Sequence, residues 1–311
     1  MIIKKRSVLA VIMCSVVYQA HADVLVILPE SGPLARAGLS VKQGFTRSYQ
    51  SSHNITRIKF VDETSASIPK LLKKNITRKT NFVVGPLTPD HVEQLIKTNP
   101  KIKVLALNQN SREHRNVLQF SLSKFEDAKA LAGVISKDKI EQLYVYREEN
   151  SKNETEQFLL AYMGQSPTKV QIVDKLPRKL KKNEGVLFLG KYEWLMAIDK
   201  LPKKRIYIQP ISIEENKPLP IGVKFCDLPA LYEKPWKEKL QAYQMEPTSY
   251  AYKRLIAFGA DAWQITEHSL DFSQSNRMIF NGMTGNILIE NNQIQRAPHC
   301  YEQTRWALKV L

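Results

Sequence analysis

The sequence predicts an α/β fold of two Rossmann-like lobes, each built on a parallel sheet, and three observations carry that prediction. Short apolar runs of strand length alternate with stretches of helical spacing from Val24 onward. The alternation restarts after residue 122, so the chain reads as two similar lobes in tandem. The longest helical stretch, 248–270, comes late, after a proline-dense interval between Pro210 and Pro235 in which helix is excluded.

Each element has its own reason. Residues 24–28 (VLVIL) are an unbroken apolar run of the kind a buried parallel strand needs. After the turn Pro-Glu-Ser-Gly-Pro, Leu34, Ala37, Val41 and Phe45 recur at helical spacing to about residue 50. Strand 58–61, a basic helix over 68–76 and strand 82–84 follow. In the turn Gly85-Pro86-Leu87-Thr88-Pro89, Thr88 is placed to cap a helix whose first turn carries Pro89 and Asp90. Helix 90–98, strand 103–107, a polar loop 108–116 and strand 117–122 complete the first lobe. The second series reads helix 126–136, strand 142–146, helix 154–163, strands 170–173 and 186–189, helix 192–201 and strand 205–208. One extended piece, 221–226, lies in the proline-dense interval. The 248–270 helix sets its face with Tyr252, Leu255, Ala262, Ile265 and Leu270, and 283–290 with 293–296 reads as a hairpin over Asn291-Asn292. The expected lobes are 23–122 plus about 247–282, and 123–246 plus about 283–311.

The first 22 residues have the form of an export leader. Lys4, Lys5 and Arg6 precede an uncharged run, 7–18, and Ala20-His21-Ala22 supplies small residues for cleavage before Asp23. No window approaches a transmembrane helix in length. Cys14 follows Met13 rather than a small residue, which speaks against a lipid anchor. The expected location is therefore the periplasm, as a soluble chain after cleavage. The leader holds three basic and no acidic side chains, so its removal lowers the formal charge from +16 to +13. The basic runs, 70–79, 178–182 and 203–205, lack the interleaved aromatics of a nucleic-acid stacking platform. In a bacterial envelope the polyanions available to them are phospholipid and lipopolysaccharide head groups, teichoic or peptidoglycan carboxylates and acidic protein faces; the opposing reading, favoured for any single run, is an evenly spread solvated surface. Cys226 and Cys300 remain after cleavage and are candidates for a disulfide in an oxidising compartment.

No G-x-S-x-G, H-E-x-x-H or P-loop pattern is present, and the cysteines have no metal-type spacing. His53, His91, His114, His268 and His299 are scattered singly. No cofactor or metal is expected, and an enzyme reading would need a catalytic cluster that the sequence does not display. Asp62-Glu63, the carboxylate pair at a strand end, reads as ordinary loop polarity. The cleft between two such lobes is rimmed by strand-end loops, which offer Ser31, Thr64, Thr88, Asn108 and Arg112 from the first lobe and Arg147 from the second. Those groups suit a carboxylate or hydroxyl. The opposing reading makes Gly32 a turn, Ser31 a helix cap and the other loops bonded to themselves.

Several stretches together resemble one family. ILPESGPLARAG, NFVVGPLTPDHVEQL, KVLALNQN, GVKFCDLPAL, FGADAWQIT and GMTGNILIENNQIQRAP are similar, in order, to the C-terminal domain of the penicillin-binding protein activators, the LppC/LpoA lipoproteins. The resemblance spans about residues 24 to 300. The first two stretches are shared with amino-acid-type periplasmic binding proteins, whereas the LALN, GVKFCDLP and TGNILIENNQIQR runs are more specific. The resemblance implies a type I periplasmic-binding-protein fold and a non-enzymatic regulator that touches a class A penicillin-binding protein, the bifunctional peptidoglycan synthase. It also implies departures. The chain is expected to work without the helical-repeat domain and lipid-bearing cysteine of longer relatives. It carries Cys226 and His299-Cys300 where the family pattern has serine and a Trp-Ala pair. Contact residues do not transfer. On charge alone, Arg178, Lys179, Lys181 and Lys182 with Lys203, Lys204 and Arg205 are the candidates for a partner surface. The alternative function is a solute-binding protein for a small amino-acid-like ligand.

Overall fold

The computed structural model describes residues 23–271 and 277–311; the expected leader lies outside the described residues. The first sheet contains β1 (Asp23–Leu28), β2 (Arg57–Asp62), β3 (Thr80–Val84), β4 (Lys103–Ala106) and β5 (Val117–Gln119). Its order is β2-β1-β3-β4-β5, with every pairing parallel. Connecting helices are α1 (Ala35–Ser51), α2 (Ile68–Asn75) and α3 (Pro89–Lys97), and α8 (Tyr250–Leu270) returns to this lobe late in the chain. Because side chains alternate across a strand, Val24, Val26 and Leu28 meet Phe45, Phe258 and Trp263 of α1 and α8, while Leu25 and Ile27 meet Leu71, Leu95 and Ile96 of α2 and α3. Helices α1 and α8 touch backbone to backbone. A Cβ on Gly44 would lie 1.8 Å from the Ile256 carbonyl oxygen, and one on Gly259 2.0 Å from that of Val41, so only glycine fits at this crossing.

The second sheet contains β6 (Gln142–Arg147), β7 (Lys169–Val173), β8 (Glu184–Leu189), β9 (Ile206–Ile208) and β10 (Val223–Asp227), all parallel. Two antiparallel strands, β14 (His299–Gln303) and β15 (Leu308–Val310), extend one edge, giving the order β15-β14-β10-β9-β8-β6-β7. Helices α4 (Lys124–Lys137) and α5 (Lys152–Gln165) bury one face, where Leu131, Ile135, Phe158 and Tyr162 pack on Leu143, Val145 and Leu187. The short α6 (Tyr192–Met196) and its neighbouring loops cover the other. Both lobes are thus doubly wound, as expected, with the second sheet mixed at its edge.

A third, antiparallel sheet is made by β11 (Arg277–Gly282), β12 (Gly285–Glu290) and β13 (Gln293–Ala297). Its β12–β13 turn is Asn291-Asn292, both at positive φ (51° and 61°), as a tight hairpin requires. This sheet corrects the expected boundary at residue 283. Ile287 and Ile294 are buried in the core of the first lobe, so the chain joins the second sheet only with β14.

Two helices differ from expectation. α6 stops at Met196 rather than near 201; Lys200, at a positive φ of 59° ahead of Pro202, rules out a helix running on to 201. α7 (Lys234–Tyr243) has no counterpart in the sequence reading. Pro235, which marks the end of the helix-free interval, sits in this helix's first turn, where its missing N–H costs nothing. Cys226 and Cys300 face each other across β10 and β14 and are joined, with the sulfurs 2.08 Å apart.

Candidate functional site

The carboxyl ends of the first sheet, where a ligand would gather, are held by the chain's own carboxylates. Asp62 ends β2. Its Oδ1 accepts hydrogen bonds from the Glu30 N–H (3.0 Å), the Thr64 N–H (2.9 Å) and the Thr64 hydroxyl (2.9 Å), and its Oδ2 accepts from Ser31 Oγ (2.7 Å). Burial pushes the Asp62 pKa up, but these four bonds outweigh it and hold the group well below the usual carboxylate range. Glu63, next in sequence, points to the other neighbour. It is 0 % exposed and accepts from the Leu87 N–H (2.7 Å), the Thr88 N–H (3.1 Å) and the Thr88 hydroxyl (2.7 Å), with His91 Nδ1 2.7 Å away. Thr88 is the cap of α3, so Glu63 fills the anion position at that helix N-terminus from within.

The second lobe repeats the device. Glu148, just after β6, accepts from the Lys191 N–H (2.8 Å) at the start of α6 and from Ser151 Oγ (2.5 Å). Arg147 is turned onto its own helix α5, donating to the Lys152 carbonyl (2.8 Å), the Thr155 hydroxyl (3.2 Å) and Glu156 (2.7 Å).

The candidate cleft residues therefore sit as follows. Ser31 and Thr64 come together, their hydroxyls 2.6 Å apart, but both are bound to Asp62. Ser31 does not cap α1, whose cap position is Leu34. Thr88 does not use its hydroxyl as a cap but gives it to Glu63. Asn108 donates to the Leu87 carbonyl (2.9 Å), and the backbone of exposed Arg112 is held by Asn110 and Gln119. Asp62 and Glu63 are consequently tethers for two loops rather than ordinary loop polarity. Three concavities, of about 780, 530 and 440 Å³, are lined by none of these candidates, although the first runs along the 108–116 loop that carries Asn108 and Arg112.

Where the chain crosses between lobes, the structure adds buried ionic knots. Arg296, whose side chain is fully buried, donates to Glu126 (3.1 Å), Asp127 (2.6 Å) and the Thr284 carbonyl (3.2 Å). Asp227 at the end of β10 is held by Arg254 of α8 and by the Tyr232 hydroxyl (2.7 Å). Asp261 of α8 accepts from the Met283 and Thr284 N–H groups (2.8 and 2.7 Å) and the Thr284 hydroxyl (2.6 Å); burial pushes its pKa up to about 6. Asp227, Asp261, Thr284 and Arg296 lie in the GVKFCDLP, FGADAWQIT and TGNILIENNQIQR stretches, and Arg254 a turn ahead of FGADAWQIT. A charged residue inside an apolar run was the available signal; its partner, tens of residues away, was not.

The basic candidates occupy the opposite end of the second sheet. Arg178, Lys179, Lys181 and Lys182 precede β8, and Lys203, Lys204 and Arg205 precede β9. Arg205 donates to the Lys182 carbonyl (2.6 Å), so one edge carries both runs. Among the described residues, Lys181 has a carboxylate within 4 Å, Glu184 at 3.8 Å, and the rest of this set has none. His114 meets Asn99 and the Asn116 N–H, His299 meets Glu233 and Asn286, and no three His, Cys, Asp or Glu side chains converge to hold a metal ion among the described residues.

The sequence model of the family described as "LppC putative lipoprotein" matches residues 12–172 and 215–304. The chain belongs to the LppC family. It is 24% identical over 295 residues to the penicillin-binding protein activator LpoA of Haemophilus ducreyi, an alignment covering 85% of this chain and 50% of that protein. It thus spans about half the length of the curated relatives it matches along most of its length. Among solved structures it is similar to the LpoA C-domain from Haemophilus influenzae, described as a regulator of PBP1A (TM-score 0.72, 18% identity, 93% of this chain and 100% of that one). It is also similar to the branched-chain amino acid binding protein LivJ of Streptococcus pneumoniae in complex with isoleucine (TM-score 0.55, 14% identity, 94% and 99%). These likenesses give the LppC chain a type I periplasmic-binding-protein fold, as the resemblance implied. The family match takes in Cys14, and its description as a lipoprotein does not back the expectation of an unanchored chain. No helix among the described residues is long and apolar enough to cross a membrane.

Proposed function

We propose that this LppC chain regulates peptidoglycan synthesis in the cell envelope by touching a class A penicillin-binding protein, and that it does so without catalysis. Likeness to LpoA activators along most of the chain carries the reading. The self-bonded strand ends support it against the solute-binding alternative. A solute carboxylate would have to displace Glu63 from two N–H groups and two side chains, or Asp62 from as many donors, before gaining any bond of its own. The contact surface in this reading is the basic edge of the second lobe, 178–182 with 203–205, which suits an acidic face on the synthase. The chain acts on the periplasmic side, cleaved before Asp23; an intact mass showing lipid on Cys14 would overturn that part.

The test is capture of purified class A synthase by the exported chain. Retention of wild type and loss with Lys181→Glu, Lys182→Glu, Lys203→Glu and Lys204→Glu together are expected. Absence of capture, with a reproducible thermal shift on adding amino acids, would establish the solute-binding reading instead. A ligand at about 100 times its dissociation constant adds about 2.7 kcal/mol, an easily read shift.

A further inference from the structure

We propose that the outer edge of the first lobe is a contact face for an anionic phospholipid bilayer. This proposal is independent of the synthase reading. The face is formed where α2 ends, where β3 and β4 begin, and where β1 starts. Residues 73–79 and 98–103 contribute Lys73, Lys74, Arg78, Lys79, Lys101 and Lys103 and no acidic side chain. All six are exposed, and among the described residues none has a carboxylate within 4 Å. The contrast with the cleft end of the same lobe is direct, since Lys42 there pairs with Glu30 and His91 with Glu63.

Between these cations lies an apolar trough of about 440 Å³, floored by Leu72, Ile76, Pro100 and Ile102, with Lys73 and Lys101 at its rim. Ile76, at 36 % exposure, is a large aliphatic left open on the face that carries these five lysines and one arginine. An apolar floor with a cationic rim fits a lipid surface, where acyl and glycerol groups meet the floor and phosphates meet the rim. An acidic protein face would use the cations and leave the floor idle.

The path of the chain points the same way. The Asp23 N–H donates to the Lys79 carbonyl (3.1 Å), so the amino end of β1 lies in the middle of this basic edge. Five residue steps separate Tyr18, the last residue of the uncharged leader run, from Asp23; fully extended they reach at most about 18 Å. Before cleavage, a leader run lodged in a membrane keeps this edge within that reach of it.

The test is co-sedimentation of the exported chain with vesicles of phosphatidylglycerol and phosphatidylcholine, against vesicles of phosphatidylcholine alone. Binding to the anionic vesicles that weakens steeply with added salt is expected. The variant Lys73→Glu, Lys74→Glu, Lys101→Glu and Lys103→Glu is expected to lose at least tenfold in vesicle partition while keeping its thermal midpoint and synthase capture. The second-lobe reversal at Lys181, Lys182, Lys203 and Lys204 should change partition less than twofold. A milder pair, Ile76→Ser and Ile102→Ser, should weaken binding without altering charge. Equal loss from both charge reversals, or no preference for the anionic vesicles, overturns the proposal. Loss of synthase capture by the first-lobe variant with vesicle binding unchanged would make this face a protein site and overturn it too.

Discussion

The two ends of each sheet use charge in opposite ways. At the carboxyl ends, Asp62, Glu63 and Glu148 are consumed by the backbone and hydroxyl groups of neighbouring loops. At the amino ends, six cations in the first lobe and the 178–182 and 203–205 runs in the second stand almost without counter-charge. The fold is one in which ligands ordinarily gather at the carboxyl ends. In this chain the carboxylates at those ends are bonded internally, and the cations without a carboxylate partner among the described residues stand at the opposite ends.

Mutations separate the two kinds of charge. The largest effect belongs to the knot between the lobes. Arg296→Ala leaves Glu126 and Asp127 buried without their partner and is expected to cost about 3–5 kcal/mol in denaturant unfolding. Glu63→Ala comes next, at about 2–4 kcal/mol, because the Leu87 and Thr88 N–H groups lose their acceptor. High formate should restore part of that loss, which a merely cavity-forming change would not show.

pH sharpens the contrast between two carboxylates. Asp62 has a lowered pKa in the folded state, so its contribution is present above its ordinary value near 3.8 and is lost as pH falls below it. Asp261 runs the other way. Its pKa is raised from 3.8 to about 6, the folded state binds the extra proton, and its contribution falls as pH climbs from about 4 to about 6. Unfolding free energies across pH 4–6 should show a falling component that Asp261→Asn removes. At the small end, Lys73→Ala or Lys203→Ala should stay within about 0.5 kcal/mol of wild type. A larger loss at either lysine would mean the outer edges are structural, and the comparison would fail.

Much of the fold was legible because its signals are local. The apolar run at β1, the helical spacing of Val41 and Phe45, and the Asn291-Asn292 turn each declare themselves within a few residues. α7 was missed because Pro235 reads as a breaker until its place in the first turn is known. β14 and β15 are short; β14 exists because β10 offers it an edge, and β15 because β14 offers the next. The site was less legible. Asp62 and Glu63 look like any polar loop pair, and only the strand order, which puts β1 between β2 and β3, shows that adjacent carboxylates tie different loops. Arg147 looked free to face a cleft, yet Glu156 and the Lys152 carbonyl, both on the following helix, claim it.

The most direct test of the central claim, that this chain works through its surface and not through a cleft-bound solute, is the cross-linking rate of a purified class A synthase with the exported chain added. A higher rate with wild type, no gain with the second-lobe charge reversal, and no dependence on added amino acids are expected. A rate that never changes, or that rises only when an amino acid is supplied, would contradict that claim.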